Sequence, residues 1–192
     1  AEQTLRTRRA ILNRARDLFA TQGYAATGTE EIISELGITR GALYHQFRDK
    51  QGVFKAVIAE AFEEMGEYIT AKIEPVTDSW DELTIGCDAF LEIAQRSDLR
   101  RLVFVEAPVV LEAEELAEFD RYGFGLLQQG ITTVVEEGRL DTIDAEGFAH
   151  LLNGALNELA TWIAQSEDHS RLKTAQDLVK NLLLKYRSNI PN

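Results

Sequence analysis

Apolar residues recur at spacings of three and four along most of the chain, and no stretch alternates with period two. That pattern predicts helices throughout. Leu5, Ile11, Leu12, Ala15, Leu18 and Phe19 lie on one side of a first helix over about residues 4–22, which Gly23 ends. Two short apolar stripes follow before residue 48. A long fourth helix is predicted from about Gly52 to Ile73, carrying Phe54, Val57, Ile58, Ala61, Phe62, Met65, Tyr68 and Ile69. Pro75 to Ser79 reads as a linker. A fifth helix is expected over about 80–96. A sixth, capped by Ser97 or Asp98, should stop before Pro108. Residues 109–115 read as a connector, and a seventh helix is expected from about Leu116 to Gly138. An eighth, capped by Asp144, should run to about Ser166 with Phe148, Leu151, Leu152, Ala155, Leu156, Leu159, Ala160 and Ile163. A ninth, about 170–187, carries Leu172, Ala175, Leu178, Val179, Leu182, Leu183 and Tyr186. The fold class expected is all-α, with about nine helices: a three-helix head over residues 1–52 and a larger helical body over 53–192.

The stretch Thr27–Lys50, TGTEEIISELGITRGALYHQFRDK, reads as two short helices joined by a tight turn. Thr27 followed three residues on by Glu30 has the form of a capping box. Gly37 supplies a turn that needs positive φ. Thr39 is a second N-cap. Leu43 and Phe47, four apart, face inward, leaving Arg40, Ala42, Tyr44, His45 and Gln46 outside. A short helix rich in donors and aromatics suits insertion into a DNA major groove.

With Phe19, Gly23, Tyr24, Thr27, Ile32, Gly37, Ile38, Thr39, Gly41, Leu43, Tyr44, Phe47 and Lys50 in register, the first third of the chain resembles the DNA-binding domain of the tetracycline-repressor (TetR) family of bacterial transcriptional regulators. The resemblance implies DNA contacts from Thr27, Thr39, Arg40, Gly41, Ala42, Tyr44, His45, Gln46 and Lys50. Three positions depart from the family pattern. Ala42 stands where a Thr is usual, Ile33 where an Ala is usual, and Thr29 where a larger apolar residue is common, which should weaken core packing. The resemblance also implies a homodimer through the last two helices, with Leu152, Leu156, Leu159 and Leu182 as interface candidates. A small-molecule effector cavity is implied too, for which Met65, Tyr68, Phe90, Phe104, Tyr122 and Trp162 are candidates. Glu106, Asn157 and Glu158 interrupt apolar stretches and either touch that ligand or face water.

The net charge of −12 at first argues against a DNA binder. Its distribution does not, because residues 1–50 carry +2 and the remainder −14. A basic head on an acidic body confines phosphate contact to the head. The single cysteine, Cys87, excludes an internal disulfide framework and fits a cytoplasmic location. No apolar run reaches the length of a membrane span, and the charged N-terminal stretch lacks a signal-peptide core. His45, His150 and His169 are scattered, and His150 reads as a core or interface residue. No metal, cofactor or catalytic pattern is present, so no enzyme is expected. The partners expected are a double-stranded operator, a second copy of the chain and a small molecule, with no membrane. The function expected is a regulator, a repressor released from a palindromic operator by its effector. The alternative is an activator or an effector-independent DNA binder.

Overall fold

The computed structural model describes residues 2–141 and 144–188, so Ala1 and the last four residues of the expected body lie outside it. The helices are α1 (Glu2–Gln22), α2 (Thr29–Ile33), α3 (Arg40–Phe47), α4 (Lys50–Ile73), α5 (Ser79–Ile93), α6 (Ser97–Arg101), a π-helical segment (Leu102–Glu106), α7 (Ala107–Val110), α8 (Ala113–Phe119), α9 (Arg121–Glu136), α10 (Ala145–Ala164) and α11 (Ser170–Tyr186). No strand occurs among the described residues, so the all-α expectation holds.

The first three helices close on the start of α4. Phe54 meets Phe19 edge-on at 5.2 Å and Tyr24 at 5.0 Å, and Ile32, Leu43 and Phe47 are buried beside them. Burial on α1 begins only at Ile11. Leu5 is 67% exposed, so its expected place on the apolar side is wrong. Gly37 has φ +62°, as its turn requires. Asp49 caps α4 through the Gly52 N–H at 2.7 Å, which starts that helix two residues earlier than its periodicity suggests.

In the body, α5 packs between α4, α9 and α10. The run that begins at Ser97 does not stop before Pro108. It widens into i→i+5 bonding, with the Ala107 N–H reaching Leu102 O, and carries the proline into α7. A π turn accommodates the missing N–H and the ring that would clash in a continuous α-helix. The expected connector over 109–115 is partly helical, with Glu112 and Glu115 forming a capping box at the start of α8. The helix expected from Leu116 to Gly138 is two helices, broken at Asp120. Asp144 caps α10 as expected.

Ion pairs from α1 also tie the head to the body, among them Arg9 with Glu60 on α4 at 3.7 Å. Arg16 on α1 reaches Glu64 on α4 at 2.7 Å and Asp98 on α6 at 2.6 Å, and Arg96 pairs with the same Glu64. These groups are half-exposed, so each pair contributes modestly, but together they fix the angle between α1, α4 and α6.

Candidate nucleic-acid interface and effector cavity

The second helix of the helix-turn-helix is short because its caps are close together. Thr39 takes the Ala42 N–H at 3.2 Å, and the Arg48 N–H closes the other end on Tyr44 O. Arg40, Gly41, Tyr44 and His45 form the exposed face, with Ala42 and Gln46 half-buried at its edge. Arg40 lies over the Tyr44 ring at 5.3 Å, donates to its hydroxyl at 3.2 Å and sits 3.4 Å from Glu30. The Arg40 hydrogen bond, followed by one to Thr29, holds the Tyr44 phenol below its ordinary pKa. The Gln46 Oε1 is buried without a partner, a polar atom left unsatisfied at the edge of this face.

Two expected DNA contacts are placed differently. Thr27 is 1% exposed, and its hydroxyl donates to Gly23 O at 2.8 Å. It is neither an N-cap nor a surface contact, because α2 starts at Thr29 and its cap position is Gly28. Lys50 donates to the carbonyls of Tyr24 at 2.9 Å and Thr27 at 3.0 Å, with its ammonium over the Tyr24 ring at 4.1 Å. Two of its three N–H bonds staple the turn before α2, so its first role is structural. A further cation at this edge is Arg48. It is exposed, forms no ion pair among the described residues, and holds φ +69°, the sole positive φ among their non-glycines. Its signal in the sequence was its place directly after the second helix.

The body holds a cavity of about 470 Å³, open to solvent on one side, between α4, α5, the π segment, α7, α8, α9 and α10. Of the six residues expected there, Met65, Phe90 and Phe104 line it. The other three do not. The Tyr68 hydroxyl donates to Glu92 at 2.6 Å on the surface, Tyr122 is 57% exposed with its hydroxyl 3.0 Å from Thr70, and Trp162 carries Arg171 over its ring. The polar lining was not anticipated except for Asn157; it includes Asp120, Asn153, Thr161 and His150. His150 is exposed at the rim with its ring 4.9 Å from Phe124, not a core residue. Glu158 faces solvent.

Glu106 does neither of the things expected of it. Its carboxylate accepts the Tyr24 N–H at 3.0 Å and Arg101 Nε at 3.1 Å, while Arg101 also donates to Thr21 O at 2.6 Å. A Cβ on Gly23 would lie 2.4 Å from Glu106 Oε1, so this glycine serves twice: for its φ of +88° and for the room it leaves the carboxylate. The segment that forms a cavity wall through Val103 and Phe104 thus grips the end of α1.

Of the four interface candidates, Leu152 and Leu156 are buried within the chain's own core, at 0% and 3% exposure, and cannot meet a partner. Leu159 and Leu182 are half-buried. The large apolar side chains open on the outer faces of α10 and α11 include Leu151 and Leu178.

Residues 11–57 match the tetR family of bacterial regulatory proteins, and residues 80–185 match the tetracyclin repressor-like C-terminal domain. The chain belongs to the TetR family. It is accordingly a DNA-binding transcriptional regulator. Its fold superposes on a TetR-family transcriptional regulator from Pectobacterium atrosepticum with a TM-score of 0.84 and 30% identity, over 100% of this chain and 99% of that one. In sequence it is 29% identical over 183 residues to an HTH-type transcriptional repressor of Mycobacterium tuberculosis, covering 91% of each. The regulator FadR of Bacillus subtilis, in complex with stearoyl-CoA, shares the fold at a TM-score of 0.75 and 16% identity, over 91% of this chain and 96% of that one. No described helix is long and apolar enough to cross a membrane.

Proposed function

We propose that this TetR-family regulator is a homodimeric repressor, released from a near-palindromic operator when a small molecule enters the body cavity. Residues 1–52 act as the DNA-binding head and 53–192 as the sensing and dimerising body. The observation that carries the reading is the π segment, which lines the cavity through Val103 and Phe104 and holds the head through Glu106. α4 is a second route, since Phe54 belongs to the head core and Met65 to the cavity wall. A cavity of about 470 Å³ has the size of small-molecule sites. A ligand that pushes on Phe104 would shift Glu106 and α4 together, and so the two heads relative to each other. Successive major grooves set that separation at about 34–36 Å, which leaves little tolerance.

Arg40, Gly41, Tyr44 and His45 are the groove-facing set in this reading, with Arg48 on a flanking phosphate. Leu151 and Leu178, joined by Leu159 and Leu182, form the apolar face between protomers. Selection of bound duplexes from a random pool tests the reading. A consensus with two-fold symmetry and half-sites about one helical turn apart supports it. An asymmetric consensus, or no enrichment, refutes a dimer on a palindrome.

A further inference from the structure

The cavity wall is mostly apolar, with Phe62, Met65, Phe90, Phe104 and Phe124 among its side chains. One carboxylate interrupts it. Asp120 occupies the N-cap position of α9, yet its backbone is helical (φ −80°, ψ 0°) and its side chain makes no cap hydrogen bond. Its amide and carbonyl are spent on Leu116 and Phe124, and the carboxylate has no hydrogen-bond or ion-pair partner among the described residues. The space it fills exists because residue 123 is glycine, where a Cβ would lie 2.9 Å from Asp120 Oδ1. Asp120 also lines a smaller chamber of about 50 Å³ that shares Phe90 and Asn153 with the main cavity, which places the carboxylate at the neck between them. Burial pushes its pKa up to about 6.

The other charged groups on this lining do not neutralise it. Glu82 of α5 lines the small chamber and adds negative charge. Arg121 lines the main cavity but is 73% exposed and paired with Glu118 at 2.7 Å. His150 of α10 stands exposed at the rim. α4 lines both chambers, and the π segment the main cavity, with uncharged side chains. Asp120 is half-buried, and a carboxylate partly withdrawn from water without a counter-charge is unfavourable; the group that offsets it best is a cation seated beside it.

We propose that the effector is an organic cation: an aromatic or aliphatic body that fills the apolar cavity, carrying one protonated amine that pairs with Asp120. Asn153, Asn157 and Thr161 then take the ligand's remaining polar groups. This rests on the reading of the cavity as the effector site.

Three probes of one shape separate the two ideas: 1-naphthylmethylamine, 1-naphthalenemethanol and 1-naphthoate, each titrated calorimetrically into the full-length protein at pH 7.5. The amine is expected to bind at least tenfold more tightly than the alcohol, and the carboxylate most weakly. Asp120→Asn should bring amine and alcohol within about twofold of each other while the alcohol's own affinity holds. The amine's advantage in the wild type should shrink as the pH falls from 7.5 to 5 and Asp120 takes up a proton. If the probes bind with no charge preference, or the carboxylate binds best, the cation proposal fails and the cavity reading stands. If none of the three binds, both fail.

Discussion

Glu106→Ala separates the cavity wall from the head without touching the DNA-facing surface. The substitution leaves the Tyr24 N–H without its acceptor at 3.0 Å and Arg101 without its partner at 3.1 Å. A hydrogen bond to a charged acceptor contributes roughly 1.5–3 kcal/mol when buried. The Glu106 side chain is 16% exposed, so the Tyr24 contact keeps most of that value, about 2 kcal/mol. The Arg101 side chain is 36% exposed, and solvent screening reduces its half to about 0.5 kcal/mol. A loss of about 2–3 kcal/mol corresponds to a fall in Tm of roughly 5–10 °C for a chain of this size. Glu106→Gln keeps an acceptor for the Tyr24 N–H and drops only the charge, so it should lose about 1 kcal/mol. Circular-dichroism melts of the three proteins, paired with titrations of an operator duplex, give both readouts. Operator affinity should fall more for Glu106→Ala than for Glu106→Gln, because the head is then free to tilt. An alanine variant that melts within 1 °C of wild type and binds operator equally well would show that the contact transmits nothing.

Asp120→Asn should stabilise the apoprotein by up to about 3 kcal/mol at pH 7.5. The folded chain keeps the Asp120 proton up to about pH 6 whereas the unfolded chain releases it near 3.8, so the wild type loses stability as pH rises between those values; urea melts at pH 4 and 7.5 should show the variant's gain only at the higher pH. Arg48→Gly should raise stability by about 1 kcal/mol, because glycine accepts φ +69° without strain, while the slope of log affinity against log salt becomes shallower by about one unit. Sedimentation and circular dichroism should show that Leu151→Glu leaves a folded monomer, whereas Leu156→Glu, a charge placed in the chain's own core, unfolds it. A Leu151→Glu protein that still sediments as a dimer would place the interface elsewhere.

Much of the head was legible because its determinants are local. Thr39 three residues before Ala42, Gly37 at a turn, and Leu43 with Phe47 at a helical step each have one physical reading. Thr27 misled because a threonine beside a helix start can cap forwards or bond backwards to Gly23 O, and the one-residue shift that decides between them is not in the spacing. The π segment was hidden for a related reason. An added residue per turn leaves the apolar pattern of Leu102, Val103 and Phe104 readable as an ordinary helix, and Pro108 then looks like a stop. Cavity residues could not be told from core residues, since Tyr68 and Phe90 differ only in which neighbour their helix faces meet. Asp120 had a weak signal, an acid between Phe119 and Tyr122 where one helix had been expected to continue. On α10, leucines at 151, 152, 156 and 159 span more than one face, and periodicity alone does not say which face the chain covers for itself.

The central claim is that the cavity and the DNA-binding head share one equilibrium. Binding reciprocity turns it into a single comparison: the affinity of 1-naphthylmethylamine for the protein alone and for the protein saturated with its selected operator, both by calorimetry. A coupling of about 1–3 kcal/mol predicts that operator weakens the amine by roughly 5–150-fold. Equal affinities in the two titrations would contradict the account, and the body would then be a dimerisation module with an unrelated cavity.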